Sequence, residues 1–192
     1  KAFGNLPARI DNDCNAAALG EYVFGAGKGK RNLVYLTIST GIGGGAVIDG
    51  RLMRGANGNA AELGHIPLTM DGPRCGCGNL GCWEAYASGT AIARRTREAL
   101  AAGRPSSILG FAGTIEQVTT YHLFQALAQK DPLATEIWDQ SIDYLGRGLG
   151  AVINTFNPDI IVVGGGVTAA GDALFVPMRA KAFAYAFPRL AA

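Results

Sequence analysis

Residues 62–84 read Glu62-Leu-Gly-His65-Ile-Pro-Leu-Thr-Met-Asp-Gly-Pro-Arg-Cys75-Gly-Cys77-Gly-Asn-Leu-Gly-Cys82-Trp-Glu84. Three of the four cysteines of the chain lie here, with one of its two histidines. One imidazole and three thiols on a short loop make a complete tetrahedral ligand set for Zn²⁺. A closed set leaves no position for water, so such an ion holds a loop and does no chemistry. Cys75 and Cys77 are too close in sequence for an unstrained disulfide, whose Cα atoms sit about 4.4–6.8 Å apart. Free buried thiols are the remaining alternative to zinc. Gly76, Gly78 and Gly81 supply the tight backbone that a loop around an ion needs. Glu62 precedes His65 by three residues and Glu84 follows Cys82 by two. Whatever fixes this loop fixes both carboxylates.

The rest of the composition is that of a globular chain. Its 192 residues are 48% hydrophobic and 17% charged, with a net charge of +2. That balance gives no argument for nucleic acid or a membrane surface. No apolar run reaches the roughly 18 residues of a membrane span, and no signal peptide is visible. Metal-type cysteine usage fits a reducing cytosol, so a cytoplasmic location is expected.

Outward from the loop, apolar runs and glycine turns alternate. Asn12-Asp13-Cys14-Asn15 is a cap-like cluster, and residues 16–24 read as a helix. Leu33–Ile38 is a buried strand running into Ser39-Thr40-Gly41-Ile42-Gly43-Gly44-Gly45. Residues 46–48 and 51–54 read as further strands around an Asp49-Gly50 hairpin turn. The glycine turn suits close backbone approach to an anion. It is not a P-loop, because no Gly-Lys-Thr and no helix follow it. A helix is expected from Trp83 through Leu100, and another behind a Thr114–Gln117 capping box. Its His122 reads as a surface or packing residue. The longest helix starts at Asp131-Pro132 and ends at Asn157-Pro158. Its Gly146, Gly148 and Gly150 mark close approach of another backbone. Asp159–Val163 reads as a fully buried strand followed by Gly164-Gly165-Gly166, and residues 173–187 as a last amphipathic segment.

In this order the pieces resemble the ROK family of sugar kinases and sugar-responsive repressors. The resemblance rests on Asn12-Asp13 with Asn15–Glu21, Thr40–Gly45, Gly55 through Glu62-Leu-Gly-His65, the cysteine loop ending in Glu84, and Asn157-Pro158 with Ile160–Gly166. Ala61 departs from the family's usual Gly, and Cys14 from its small residue. The fold this implies is α/β: an actin/hexokinase-like (ribonuclease H-like) lobe, a mixed sheet with flanking helices and a zinc-binding loop at 65–82. Residues 1–24 would be a hinge carrying the catalytic Asp, and 25–192 the second lobe. Nothing matches the family's first-lobe strand and Asp-Gly-Gly-Thr phosphate loop. The expectation is therefore a second lobe that, alone, does not phosphorylate sugar.

By resemblance Asp13 is the base that takes a proton from the 6-hydroxyl of a hexose, glucose favoured, as it attacks the γ-phosphate of ATP with Mg²⁺. Asn12, Glu62, His65 and Glu84 would join it in holding sugar hydroxyls. Thr40, Gly41, Gly43 and Gly44 would face the phosphates, and Gly164, Gly165 and Gly166 would lie by the adenosine. Zn²⁺ would sit on His65, Cys75, Cys77 and Cys82. Expected partners are sugar and ATP, in a homodimer or tetramer, with no membrane and no nucleic acid. A sugar-sensing repressor and a zinc-stabilised dimerisation module without catalysis are the competing readings.

Overall fold

The computed structural model describes Gly4 and residues 10–190. The sequence Ala8-Arg9-Ile10-Asp11 reads as the tail of a strand; its first two residues lie outside the described ones, and Ile10–Asn12 are not in a strand. The sheet is built from β1 (Leu33–Ile38), β2 (Ile42–Ile48), β3 (Arg51–Leu52) and β4 (Ile160–Gly164), in the order β3-β2-β1-β4. β2 runs antiparallel to β1, and β4 runs parallel to it. Leu36 of β1 lies opposite Gly44 on one side and Val163 on the other. A mixed sheet results, because β1 and β2 form a hairpin whereas β4 returns only after a long helical crossover.

Alternate residues of β1 serve two cores. Leu33 faces α1 (Asp13–Val23), where Ala18 and Val47 complete a small cluster. Val34, Leu36 and Ile38 face the other way, into one continuous core with α2 (Trp83–Ala87), α3 (Gly89–Ala101), α4 (Ile108–Ala112), α5 (Thr120–Ala128), α6 (Pro132–Phe156) and α7 (Asp172–Tyr185). The sheet is thus covered by one helix on one face and by a helical layer on the other.

α6 is 25 residues long, about 37 Å at the helical rise. Asp131 caps it by accepting from Ala134 N (2.9 Å), Pro132 occupies its first turn, and Asn157 ends it in the left-handed region at φ 41°. Its Gly146 and Gly150 let another backbone approach, as expected, whereas Gly148 makes room for a side chain. A Cβ at Gly146 would meet Lys181, at Gly148 the Trp83 ring, and at Gly150 Tyr185. At the hairpin, Asp49 (φ 51°) and Gly50 (φ 75°) form the expected tight turn.

Several expectations need correction. The helix from Trp83 is two helices, broken at Ser88, whose Oγ accepts from Ala91 N (3.1 Å) to cap α3. The cap that opens α5 is not at Thr114–Gln117 but at Thr119, whose N–H donates to His122 Nδ1 (3.2 Å). His122 is therefore a capping residue, and α4 was not foreseen. β2 starts at Ile42, four residues before the expected strand. β4 is half-buried along its whole length, because it is the terminal strand of the sheet among the described residues. No helix of the described residues is long and apolar enough to cross a membrane.

Candidate functional site

The site is assembled on the first half of β2. Three elements press onto it, and each carries expected site residues. The start of α1 brings Asn12 and Asp13: a Cβ at Gly43 would stand 2.6 Å from Cys14 Sγ, and one at Gly45 would stand 2.5 Å from Cys14 O. The 3₁₀ turn Leu63–His65 brings Glu62 and His65: Leu63 fills the space over Gly44, and Gly64 rests on Ile42 O. From α2 comes Glu84, whose Oε2 lies where a Gly41 side chain would be. Gly43 and Gly44 are inside the strand, opposite Thr37 and Leu36, so they serve this close packing. The turn proper is Ser39–Gly41, with Thr40 exposed.

At the start of α1, Asn12 Oδ1 accepts from Cys14 N (2.8 Å) and Asn15 N (3.2 Å). This cap leaves the Asp13 side chain exposed at the first helical position. Asp11 accepts from Asn12 N and Asn15 Nδ2 and pairs with Arg54 at 2.7 Å, tying the strap before Asp13 to the loop after β3. Burial, then the neighbouring Asp13 carboxylate, pushes the Cys14 thiol up to about 11. Cys14 is thus a protonated packing group under the site.

His65, Cys75, Cys77 and Cys82 come together as expected, their four ligand atoms all within 4.8 Å of one another. Cys75 Sγ to His65 Nδ1 is 3.6 Å, and Cys77 Sγ to Cys82 Sγ is 3.7 Å. Tetrahedral zinc with Zn–S about 2.3 Å and Zn–N about 2.0–2.1 Å requires roughly 3.8 Å between sulfurs and roughly 3.6 Å between sulfur and nitrogen. The residues present fit the ion. Nδ1 is the ring atom turned to the cluster, which leaves Nε2 of His65 for another partner. Gly78 (φ 96°) and Gly81 (φ 72°) take the left-handed conformations the loop needs. Burial pushes the Cys82 thiol up to about 12 and raises Cys75 too, so a metal displaces protons when it binds.

A cavity of about 410 Å³ opens beside the turn, lined by Ser39, Thr40, Gly166 and, from α5, Tyr121 and Phe124. Gly165 (φ 95°) packs on the Ile38 backbone, and Gly164 is the last residue of β4. Gly166 alone of the three lines the cavity. The α5 residues were missed, because nothing in the apolar pattern of 120–128 separates a cavity wall from core. A second cavity of about 440 Å³ runs from Thr40 and Gly41 to Cys75 and Glu84. It shares Thr40 and Thr90 with the first.

The family model described as "ROK family" matches residues 1–191. The chain belongs to the ROK family. It is 45% identical over 179 residues to a glucokinase of Thermotoga maritima, covering 93% of this chain and 56% of that protein. It is 35% identical over 187 residues to the xylose repressor of Bacillus subtilis, covering 97% of this chain and 44% of the repressor. A ROK glucokinase from Streptomyces griseus, solved with glucose and AMPPNP, superposes with a TM-score of 0.86 at 38% identity. That match covers 96% of this chain and 60% of the other. The ROK chain described here thus spans about half the length of the curated relatives it matches. Its fold is the actin/hexokinase-like α/β fold of the ROK sugar kinases.

Proposed function

We propose that this ROK chain carries the sugar-binding half of an ATP-dependent hexose kinase that phosphorylates glucose at its 6-hydroxyl. The carrying observation is the convergence on β2 of Asn12-Asp13, Glu62, His65 and Glu84, with His65 offering Nδ1 to a four-ligand cluster. In this reading Asn12, Glu62, Glu84 and Nε2 of His65 hold sugar hydroxyls. Asp13 accepts the proton of the 6-hydroxyl as its oxygen attacks the γ-phosphate of MgATP. Thr40 and Gly41 face the phosphates. The cavity bounded by Gly166, Tyr121 and Phe124 takes the adenosine, with Gly164 and Gly165 leading into it at the end of β4. His65, Cys75, Cys77 and Cys82 hold a structural Zn²⁺, which supplies rigidity and no chemistry. A cytoplasmic homodimer or tetramer completes the proposal.

Support comes from the glucokinases at 42–45% identity and the glucose- and AMPPNP-bound structural neighbour. The test is a coupled ATP assay across hexoses on the full-length protein, in parent and Asp13→Asn forms. The expected result is turnover with glucose that Asp13→Asn abolishes while the fold is kept. Retained turnover in the variant removes Asp13 as base. The repressor reading has one observation in its favour, the 35% identity to xylose repressors over nearly the whole chain. A helix-turn-helix encoded upstream, with no turnover of any hexose, would select it.

A further inference from the structure

We infer that Glu84 is a positioning residue for the Ser39–Ile42 turn, through which the metal loop holds the phosphate side of the site. Glu84 is half-buried and meets two neighbours at once. Its Oε2 accepts the Ile42 N–H at 2.9 Å, and its Oε1 lies 3.7 Å from Cys75 Sγ in the metal cluster. The next helix, α3, grips the other end of the turn by backbone alone. Gly89 N donates to Ser39 O (2.7 Å), and Thr90 N lies 3.4 Å from Thr40 O. Glu84 is the second residue of α2, whose first residue directly follows Cys82 of the ligand cluster. Its far end closes at Ser88, whose N–H donates to Glu84 O (3.1 Å) and whose Oγ caps α3.

The turn has little else to hold it. Ser39 N donates to Gly41 O, Thr40 is exposed, and Ile42 N has the Glu84 carboxylate as its acceptor. Glycine at 41 is what lets the carboxylate in, because a Cβ there would occupy the place of Oε2. The path from metal loop to turn is therefore short: Cys82 precedes α2, which carries Glu84, and after Ser88 alone comes α3, whose first residues are Gly89 and Thr90. The role of the turn in holding phosphates rests on the kinase reading above; the link between loop and turn does not.

The test is amide hydrogen exchange by NMR on the 192-residue chain loaded with zinc, read at Ile42 with Val34 of β1 as the core reference. Glu84→Ala, zinc still bound, is expected to speed Ile42 exchange about tenfold or more, the loss of one charge-assisted bond. Glu84→Gln keeps an acceptor oxygen and is expected to stay within about threefold of the parent. Chelation of zinc from the parent chain is expected to speed Ile42 as Glu84→Ala does, with Val34 unchanged. That arm decides the matter if Glu84→Ala does not fold. Three results overturn the inference. One is Ile42 unchanged in Glu84→Ala. Another is chelation that frees the Cys75 and Gly81 amides and leaves Ile42 protected. The third is Val34 and Ile42 opening together, which marks global unfolding. Failure to bind hexose or ATP would remove the kinase reading and leave this outcome standing.

Discussion

The site side and the helical side of the chain are held by different physics. α6 and α7 meet through notches at Gly146 and Gly150 and share a core of fully buried side chains, among them Leu145, Leu174 and Val152. Residues 53–82, which carry Glu62 and His65, contain one three-residue 3₁₀ turn and two isolated bridges, Pro67↔Cys82 and Arg74↔Leu80. Their only buried hydrophobic side chains are Leu63, Cys75 and Cys82. A segment that buries so little apolar surface cannot offset the entropy of ordering its backbone. It needs a staple, and the Cys/His cluster is placed to be one. Glu62 and His65 sit on the stapled segment, Asn12, Asp13 and Glu84 at the starts of helices beside it, and the large buried core lies in the packed half.

That contrast can be broken most visibly at the staple. Cys77→Ser is expected to lose the metal and open residues 53–82 to limited proteolysis at least tenfold faster than the parent, with α6 left intact. Cleavage within α6 at the same rate would mean that the two halves are not separate. On the packed side, Trp83 is fully buried against Gly148. Trp83→Ala is expected to cost about 3–5 kcal/mol in denaturant unfolding, a global effect. A cost below about 1 kcal/mol would show that α2 leans on the loop and not on α6.

A smaller effect is written into the polar face of α6 and α7. Asp143 bonds Arg147 (2.8 Å), Lys181 (3.0 Å) and Tyr185 (2.7 Å). Against the upward pull of partial burial, these hydrogen bonds hold its carboxyl down at about 2, from 3.8. A depressed carboxyl stabilises the fold above its unfolded pKa. That contribution, about 2 kcal/mol, is lost as pH falls from about 4 to about 2. Asp143→Asn is expected to be less stable by about that amount at pH 7 and equal to the parent near pH 2. A gap that does not change with pH contradicts the assignment.

The smallest expected change is a gain. Ala61 sits at φ 64°, in the left-handed region, directly before Glu62. Ala61→Gly is expected to stabilise the chain by about 0.5–1 kcal/mol in the same unfolding assay, the relief of a strained Cβ less the added freedom of the unfolded chain. A loss of stability would mean that the Cβ packs usefully.

What could be read from sequence follows the same division. The β1 run, the span of α6, its backbone notches at Gly146 and Gly150 and the Asp49-Gly50 hairpin were legible, because periodicity and turn chemistry fix them locally. The ligand cluster was legible from residue type and spacing. Ser88 as a helix break was not, since its cap depends on Gly89 reaching Ser39 across the fold. Nor was the use of Gly43 and Gly44. A glycine run reads alike whether the close neighbour is a phosphate or Cys14 and Leu63. The same holds for the half-burial of β4, because the number of strands beside it is a tertiary fact. Ala61 looked like a minor departure, and only its φ shows the strain.

The central claim is that the metal-stapled loop sets the sugar-binding groups. Its most direct test is a calorimetric glucose titration of the chain with zinc bound, after chelation, and after zinc is restored. The account predicts binding in the first state, at least about tenfold weaker binding in the second, and recovery in the third. Equal affinity with and without the metal, or no binding of any hexose to the zinc-loaded chain, would contradict it.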